Sequence, residues 1–497
     1  MLLGKGVITP ESRFHMVSLW EETYSIAKRG ELTGNLSTEV AVIGAGIAGI
    51  LTAYYLTKRG IQTIVVEANR IGSGQTKGTT AKITSQHEDI YHKLIEQFGE
   101  EKAKQYAFAN EHAIAEYKNL VSELQIDCDF EEKSSYLYTL EDTTLLQEEA
   151  ISARKLGIDA EYITETELPF QVKGAVKFAN QAQFHPLKFL SAVAENLTIY
   201  ENTKVLEVED NILRTNRGEI TAKYIVFACH YPFINAPGFY FLRMHQDRSY
   251  FLACKNATTL NGMYRSLEKT GYSLRCYKDV LLFGGGSHRT GENSHGGQYS
   301  ALRSALTQFY PEAKEFTHWS AQDCMTLDGV PYIGQFSSGK PNWYVATGFG
   351  KWGMTSSMVS AQLISSQIAG EEVWYAPVFS PERFTPKSSA KALLDEGMHA
   401  IKGLTRRIFQ LPKATEEELP LGHGGIIEVE EEKYGVYKNE KGEIFIISPK
   451  CPHLGCQLEW NPDELSFDCP CHGSRFTYTG ELIDNPAQTD VVDKKGD

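Results

Sequence analysis

The 497-residue sequence predicts an α/β dinucleotide-binding domain, an α+β part interleaved with it, and a small all-β domain at the C-terminal end. Three stretches carry that prediction. Strand, glycine turn, helix, strand and acid follow one another from Val40 to Glu67; apolar and polar residues alternate across 239–318; short strand patterns surround four cysteines crowded into 451–471. With 42% hydrophobic residues, the chain has material for two or three domains with proper cores.

In the first stretch, β-branched Val40, Val42 and Ile43 lead into Gly44-Ala45-Gly46-Ile47-Ala48-Gly49. Helical spacing follows (Leu51, Ala53, Tyr54, Leu56), Gly60 ends it, and a strand at Thr63–Val66 stops at Glu67. A dinucleotide fold requires this order. Gly44 permits the tight turn, Gly46 lets backbone approach a pyrophosphate, and Gly49 lets helix and strand pack closely. The phosphates would sit on the helix N-terminus, where free N–H groups and the dipole favour anions. Glu67, 23 residues beyond Gly44, would accept hydrogen bonds from the ribose of an adenine dinucleotide. The polar run Arg70–Lys82, with Thr79 and Thr80, is either a plain surface loop or a loop lining the cofactor.

The remaining elements follow in order. Apolar spacing predicts two helices between Tyr91 and Leu124, broken near Gly99, then helices near Leu145–Leu156 and Pro186–Glu195. Leu197–Val208, Ile212–Thr215 and Lys223–Ala228 read as strands, and 239–318 as an antiparallel sheet followed by a helix at Ala301–Phe309. After Asp328-Gly329-Val330-Pro331-Tyr332-Ile333-Gly334, a strand at Trp343–Thr347 ends in a glycine turn that opens a helix at about Ser356–Ala369. That turn again offers N–H groups to an electron-rich ligand. The division expected is a lead-in at 1–37, cofactor-binding parts at 38–88, 170–235 and 320–375, and substrate-side parts at 89–169 and 236–319. A proline-containing linker with a helix at Lys387–Phe409 fills 376–411, and the all-β unit fills 412–497.

Net charge is −14, which makes nucleic acid an unfavourable partner. No apolar run reaches the roughly 18 residues of a membrane span. The N-terminus lacks a signal peptide's apolar stretch, with Met16 an alternative start, so a cytoplasmic protein is expected. Nine cysteines at this length do not make a secreted disulfide framework.

The glycine fingerprint, Glu67, the 72–82 loop, the D-G-V-P-Y-I-G run and Thr347-Gly348-Phe349-Gly350 with Gly353-Met354-Thr355 together resemble the FAD-dependent oxidoreductases of the D-amino-acid-oxidase/glycine-oxidase/sarcosine-oxidase group, over about 38–375. The resemblance implies a Rossmann-type, glutathione-reductase-like FAD domain with an α+β substrate domain. By that likeness Gly44, Gly46, Gly49 and Glu67 hold the ADP part and Val205 meets the adenine through its backbone. Gly348, Gly350, Gly353, Met354 and Thr355 face the flavin's pyrimidine end, where a helix dipole stabilises negative charge. One departure bears on substrate. The group's G-x-R-P arginine, which clamps a carboxylate, is replaced by Asp323. An acid there repels a carboxylate and attracts an amine; the alternative is an ordinary salt-bridged acid. Cys324 reads as a buried structural cysteine rather than a flavin attachment. His87 and His185 lie where the chain should pass near the flavin, and each is also readable as a satisfied core or surface histidine.

Cys451-Pro452-His453-Leu454-Gly455-Cys456 and Cys469-Pro470-Cys471-His472-Gly473-Ser474 contain C-x-H and C-x-x-H, with 15 residues between them. Two cysteines and two histidines suit a [2Fe–2S] cluster or a structural zinc. The full text of both loops, with Asn485-Pro486-Ala487 beyond, closely resembles a Rieske domain. That resemblance implies Cys451, His453, Cys469 and His472 as ligands and a Cys456–Cys471 disulfide linking the loops. Ser474 matches a serine that hydrogen-bonds a cluster sulfur, whereas Phe476 replaces a frequent tyrosine. With 8 basic and 18 acidic residues in 413–497, the cluster is expected below the top of the Rieske range, about −150 to +300 mV.

The parts imply a flavoenzyme oxidising a small amine or amino-acid-like substrate and passing electrons singly to the cluster and then to an outside acceptor. Alternatives are a reductase component for a partner enzyme, an oxygen-using oxidase with a structural or regulatory cluster, and a redox sensor.

Overall fold

The computed structural model describes residues 16–383, 419–429 and 432–491. The first sheet runs, in spatial order, Tyr332–Ser337, Lys340–Thr347, Glu219–Phe227, Leu36–Ile43, Thr63–Val66 and Thr198–Tyr200. Its central neighbours are parallel, with Val40 opposite Thr63 and Ile43 opposite both Val66 and Phe227. Parallel strands need cover on both faces, and Val40, Ala41, Val42 and Ile43 are all buried. The helix after the glycine turn, Ile47–Lys58, is buried on nearly every side and packs against the helix Gly353–Ile368. The two glycine turns therefore open neighbouring helices.

The second sheet runs Lys314–Thr326, Met244–Lys255, Val280–Arg289, Ser273–Tyr277, Met263–Ser266, Glu131–Thr139, Gly174–Gln183 and Lys82–Ile83. It is not wholly antiparallel, because Met263–Ser266 lies parallel to Glu131–Thr139. It also takes in Gly174–Gln183 and Lys314–Thr326 up to its end, so the chain changes sheets near 184 and 327 rather than near 170 and 320. Alternation predicts a half-buried strand but not which sheet receives it; pairing across the fold decides that.

Two helices break at Gly99 (φ +82°), Ile90–Phe98 before it and Glu100–Glu123 after it. The longer one buries Ala103, Ala107, Ala109 and Ala113, side chains small enough to let it approach Gly353–Ile368. In the lead-in, Ser18 and Glu21 form a capping box on a short helix, Leu19–Thr23. That helix buries Trp20, whose Nε1 donates to Thr79 O at 2.6 Å. The lead-in thus pins the loop after the acid-ended strand.

The C-terminal domain is two small antiparallel sheets. One holds His423–Val429, Glu432–Lys438 and Ile444–Ile447; the other holds Glu459–Asn461, Ser466–Asp468, Arg475–Thr477 and Leu482–Asp484. Ile447, Leu458, Trp460, Phe467 and Phe476 form its core. The expected helix at Lys387–Phe409 lies outside the described residues.

This domain docks on the second sheet through buried polar groups. Arg248 Nη2 meets Glu464 Oε1 at 2.6 Å, and both side chains are 3% exposed. Arg475 joins Glu464 at 3.0 Å, Asp468 at 3.0 Å and Asp484 at 3.1 Å. The helix Gln298–Phe309 has no capping side chain of its own; Asp463 of the C-terminal domain accepts from Gly297 N and Gln298 N, both at 3.0 Å.

Candidate active site and metal centre

A cavity of about 400 Å³ runs across the carboxyl ends of the first sheet's central strands. Gly44, Gly46, Glu67, Thr79, Val205, Gly350, Gly353 and Met354 all lie in its wall. Gly49 packs behind them, where an added Cβ would fall 1.9 Å from Gly44 O. Gly46 caps its helix without a side-chain hydrogen bond, and Thr76 Oγ1 accepts from Ile47 N at 3.0 Å. Glu67 is held by backbone: Ala45 N donates to Oε2 at 2.8 Å and Asn69 N to Oε1 at 2.9 Å. Burial raises its pKa. A wall of backbone N–H groups, glycine faces and one fixed acid fits a dinucleotide. Gly348 (φ +72°), Thr80 and Thr355 lie outside this wall. Gly348 turns the chain against Thr326, Thr80 lines the adjoining cavity, and Thr355 Oγ1 donates to Thr84 O at 3.2 Å.

A second cavity adjoins the first through Thr79, Asp323, Lys351, Gly353 and Met354, and adds Thr80, Lys82, Arg265, Ser273 and Trp352. Asp323 pairs with Lys351 at 3.0 Å, so its charge is already balanced and does not by itself attract a cation. Arg265 pairs with Glu88 at 2.7 Å. Lys82 donates instead to Tyr264 O at 3.0 Å and Ser273 Oγ at 2.5 Å. Burial, with Arg265 and Arg275 nearby, pushes its pKa well below the usual lysine value. Lys351 and Trp352 sit inside the glycine turn between Gly350 and Gly353, so a residue-by-residue reading of that turn could have found them.

His87 lines neither cavity. Its ring stacks on Trp352 with centroids 4.9 Å apart, and its nitrogens meet Tyr106 Oη at 2.6 Å, Thr84 O at 2.8 Å and Thr355 Oγ1 at 3.0 Å. Burial lowers its pKa to about 3, so it is a neutral support for the wall. His185 lies away from both cavities. It caps the helix Pro186–Val193 by accepting from Lys188 N at 3.3 Å and meets Thr23 Oγ1 at 3.0 Å. Cys324 is buried beside Met244 and Thr347 and faces neither cavity.

The two cysteine–histidine loops are built alike. Cys451 N donates to Cys456 O at 2.9 Å and Gly455 N to Cys451 O at 2.9 Å; Cys469 N donates to Ser474 O at 2.8 Å and Gly473 N to Cys469 O at 2.9 Å. A Cys456–Cys471 disulfide joins them. The thiols of Cys451 and Cys469 share a hydrogen bond, Ser474 bonds Cys451, and the rings of His453 and His472 stand at 89° with centroids 4.9 Å apart. His453 Nδ1 is buried with no hydrogen-bond partner, while its Nε2 meets Asn235 Oδ1 at 2.8 Å. Burial holds its pKa to about 4, leaving a neutral imidazole. Two thiols beside two imidazoles, with one buried ring nitrogen unsatisfied, fit a two-cysteine, two-histidine iron–sulfur centre.

The FAD dependent oxidoreductase (DAO) family matches residues 39–367, and the Rieske [2Fe-2S] domain family matches residues 410–493. The Rieske 2Fe-2S iron-sulfur protein YhfW of Bacillus subtilis (strain 168) is 36% identical over 485 residues, 94% of this chain and 95% of its own length. Gamma-glutamylputrescine oxidoreductase of Escherichia coli (strain K12) is 22% identical over 382 residues, 68% of this chain and 85% of its own. Glycine oxidase from Geobacillus kaustophilus shares the fold, with a TM-score of 0.60 at 19% identity over 70% of this chain and 99% of that one. No helix among the described residues is long and apolar enough to cross a membrane. The protein is an FAD-dependent oxidoreductase whose cofactors are FAD and a [2Fe–2S] cluster. This chain belongs to the FAD dependent oxidoreductase (DAO) family and carries a Rieske [2Fe-2S] domain at its C-terminal end.

Proposed function

We propose that the protein oxidises a small amine or amino-acid-like substrate at FAD and relays the electrons singly through the Rieske cluster to an external acceptor. The observation that carries this reading is a shared hydrogen-bond network. Gln322, in the wall of the flavin cavity, donates to Gly473 O at 2.8 Å, and Gln246 donates to His472 O at 2.7 Å. The two glutamines are themselves bonded at 2.7 Å. A flavin takes two electrons in one step and an iron–sulfur cluster one, so the pair converts between the two modes.

In this reading Gly44, Gly46, Gly49 and Glu67 hold the ADP part, with Val205 at the adenine. Gly350, Gly353 and Met354 border the flavin ring, where the uncapped N-terminus of Gly353–Ile368 favours negative charge. Cys451, His453, Cys469 and His472 ligate the cluster. The substrate occupies the second cavity, with Thr80 and Trp352 in its walls. Lys82 there donates to Tyr264 O and Ser273 Oγ, and with its pKa lowered by burial it acts as a hydrogen-bond donor rather than as a fixed positive charge. A relative named for gamma-glutamylputrescine supports an amine class. A cytoplasmic setting belongs to this reading as well: the five cysteines between 128 and 324 are all free thiols.

An anaerobic reductive titration of cluster-loaded protein, followed by absorbance and electron paramagnetic resonance, tests the relay. Uptake of about three electrons is expected, two by flavin and one by a Rieske-type cluster. Uptake of two with no Rieske signal would sink it and leave an oxygen-using oxidase.

A further inference from the structure

The flavin cavity is not walled by the oxidoreductase domain alone. Ile483, Asp484, Asn485, Gln488 and Asp490, all from the Rieske domain, line it together with Gly44, Glu67 and Val205. This segment is tied down on either side of the glycine turn. On one side Gln75 Nε2 donates to Asp484 Oδ1 at 3.0 Å, and Gln75 precedes Thr76, whose hydroxyl meets the helix N-terminus. On the other, Asn485 Nδ2 donates to Cys229 O at 2.9 Å and Tyr231 O at 2.7 Å; an added Cβ on Gly44 would fall 3.2 Å from Cys229 Cα. A fourth tie, Lys204 Nζ to Gln488 O at 2.6 Å, sits beside Val205. Within this segment Asp484 pairs with Arg475 at 3.1 Å, a guanidinium it shares with Glu464 and Asp468, so its charge toward a pyrophosphate is offset in part. Toward the cluster, Ala487 N donates to Ser474 Oγ at 2.9 Å, within a cysteine–histidine loop.

We propose that residues 482–490 of the Rieske domain are part of the FAD site, enclosing the dinucleotide between two domains so that it leaves only when the Rieske domain lifts. The segment contributes the cover over the pyrophosphate and ribose that the glycine turn leaves open. The oxidoreductase domain supplies the phosphate and ribose contacts, and the Rieske domain supplies retention. The inference rests on the cofactor and the cavity, not on the substrate or the direction of electron flow.

The test measures FAD release from the full, cluster-loaded chain, as the rise in flavin fluorescence after dilution. Asn485→Ala removes two of the ties. Gly291→Val acts from a distance: Gly291 lies outside the cavity wall, and a Cβ there would fall 2.6 Å from Pro470 N, wedging the domains apart. Release about tenfold faster in both variants is expected, the effect of about 1.4 kcal/mol, with the far-ultraviolet circular dichroism unchanged in both and the paramagnetic signal of the cluster unchanged in Asn485→Ala. Release at the wild-type rate in either folded variant overturns the proposal. Where Gly291→Val does not fold, Asn485→Ala decides by the same criterion.

Discussion

The cavity at the glycine turns and the seam between the two domains are both lined by polar groups, but they are made of different material. Around Gly44, Gly46 and Gly49 the contacts are mainly backbone, with the Thr76 hydroxyl added, and even Glu67 is fixed by the N–H groups of Ala45 and Asn69. At the seam the contacts are side chains from distant parts of the chain, such as Arg248 with Glu464 or Asn293 with Asp463. A backbone-built site demands the absence of side chains at particular positions. A side-chain-built one demands matched partners. The two should therefore fail in different ways.

The largest effect is expected at the seam. Arg248→Ala leaves Glu464 buried with Arg475 as its remaining guanidinium partner, and removing one member of a buried pair costs about 3–5 kcal/mol. Denaturant midpoints should show it, and a change near zero would mean that the seam is looser than its distances say. At the turn, Gly49→Ala drives a methyl into Gly44 O and should cost about 1–3 kcal/mol by overpacking, with loss of FAD affinity. Full FAD retention there would show that the helix can shift away. The smallest effect is a pH dependence. Burial opposes the Glu464 carboxylate, but Arg248 and Arg475 outweigh it and hold its pKa to about 2. A depressed carboxylate stabilises the fold above its unfolded pKa of about 4.3 and loses that contribution as pH falls toward the folded value. From pH 7 to about 4, wild type should lose about 0.6 kcal/mol more than Glu464→Gln; equal losses would remove the charge from the account of the seam.

The same contrast explains what could be read from the chain. The glycine turn, its flanking strands and Glu67 are contiguous, and each has a chemical reason to be where it is. The break at Gly99 was legible for the same reason, since a positive φ needs a glycine there. Asp323 shows the limit. Its charge is visible in the sequence, but its partner Lys351 is 28 positions away, and pairing reverses what the charge implies. His185 precedes Pro186, and a proline at the first helical turn signals a helix start, so its capping role was available. Arg248 and Glu464 carry no such mark. A buried charge looks like a surface charge until the fold supplies its counterpart.

Asn235 Oδ1 on His453 Nε2 and the Phe241 ring edge-on to His472, with centroids 5.9 Å apart, cover the imidazole side of the cluster loops from within the molecule. Under the proposed relay, an outside acceptor seeking that same side is a competitor of the protein's own flavin domain. Binding too loosely starves the cluster of electrons, and binding too tightly denies them an exit. Turnover would then peak at an intermediate grip, so a substitution that strengthens this contact could slow the enzyme as surely as one that weakens it.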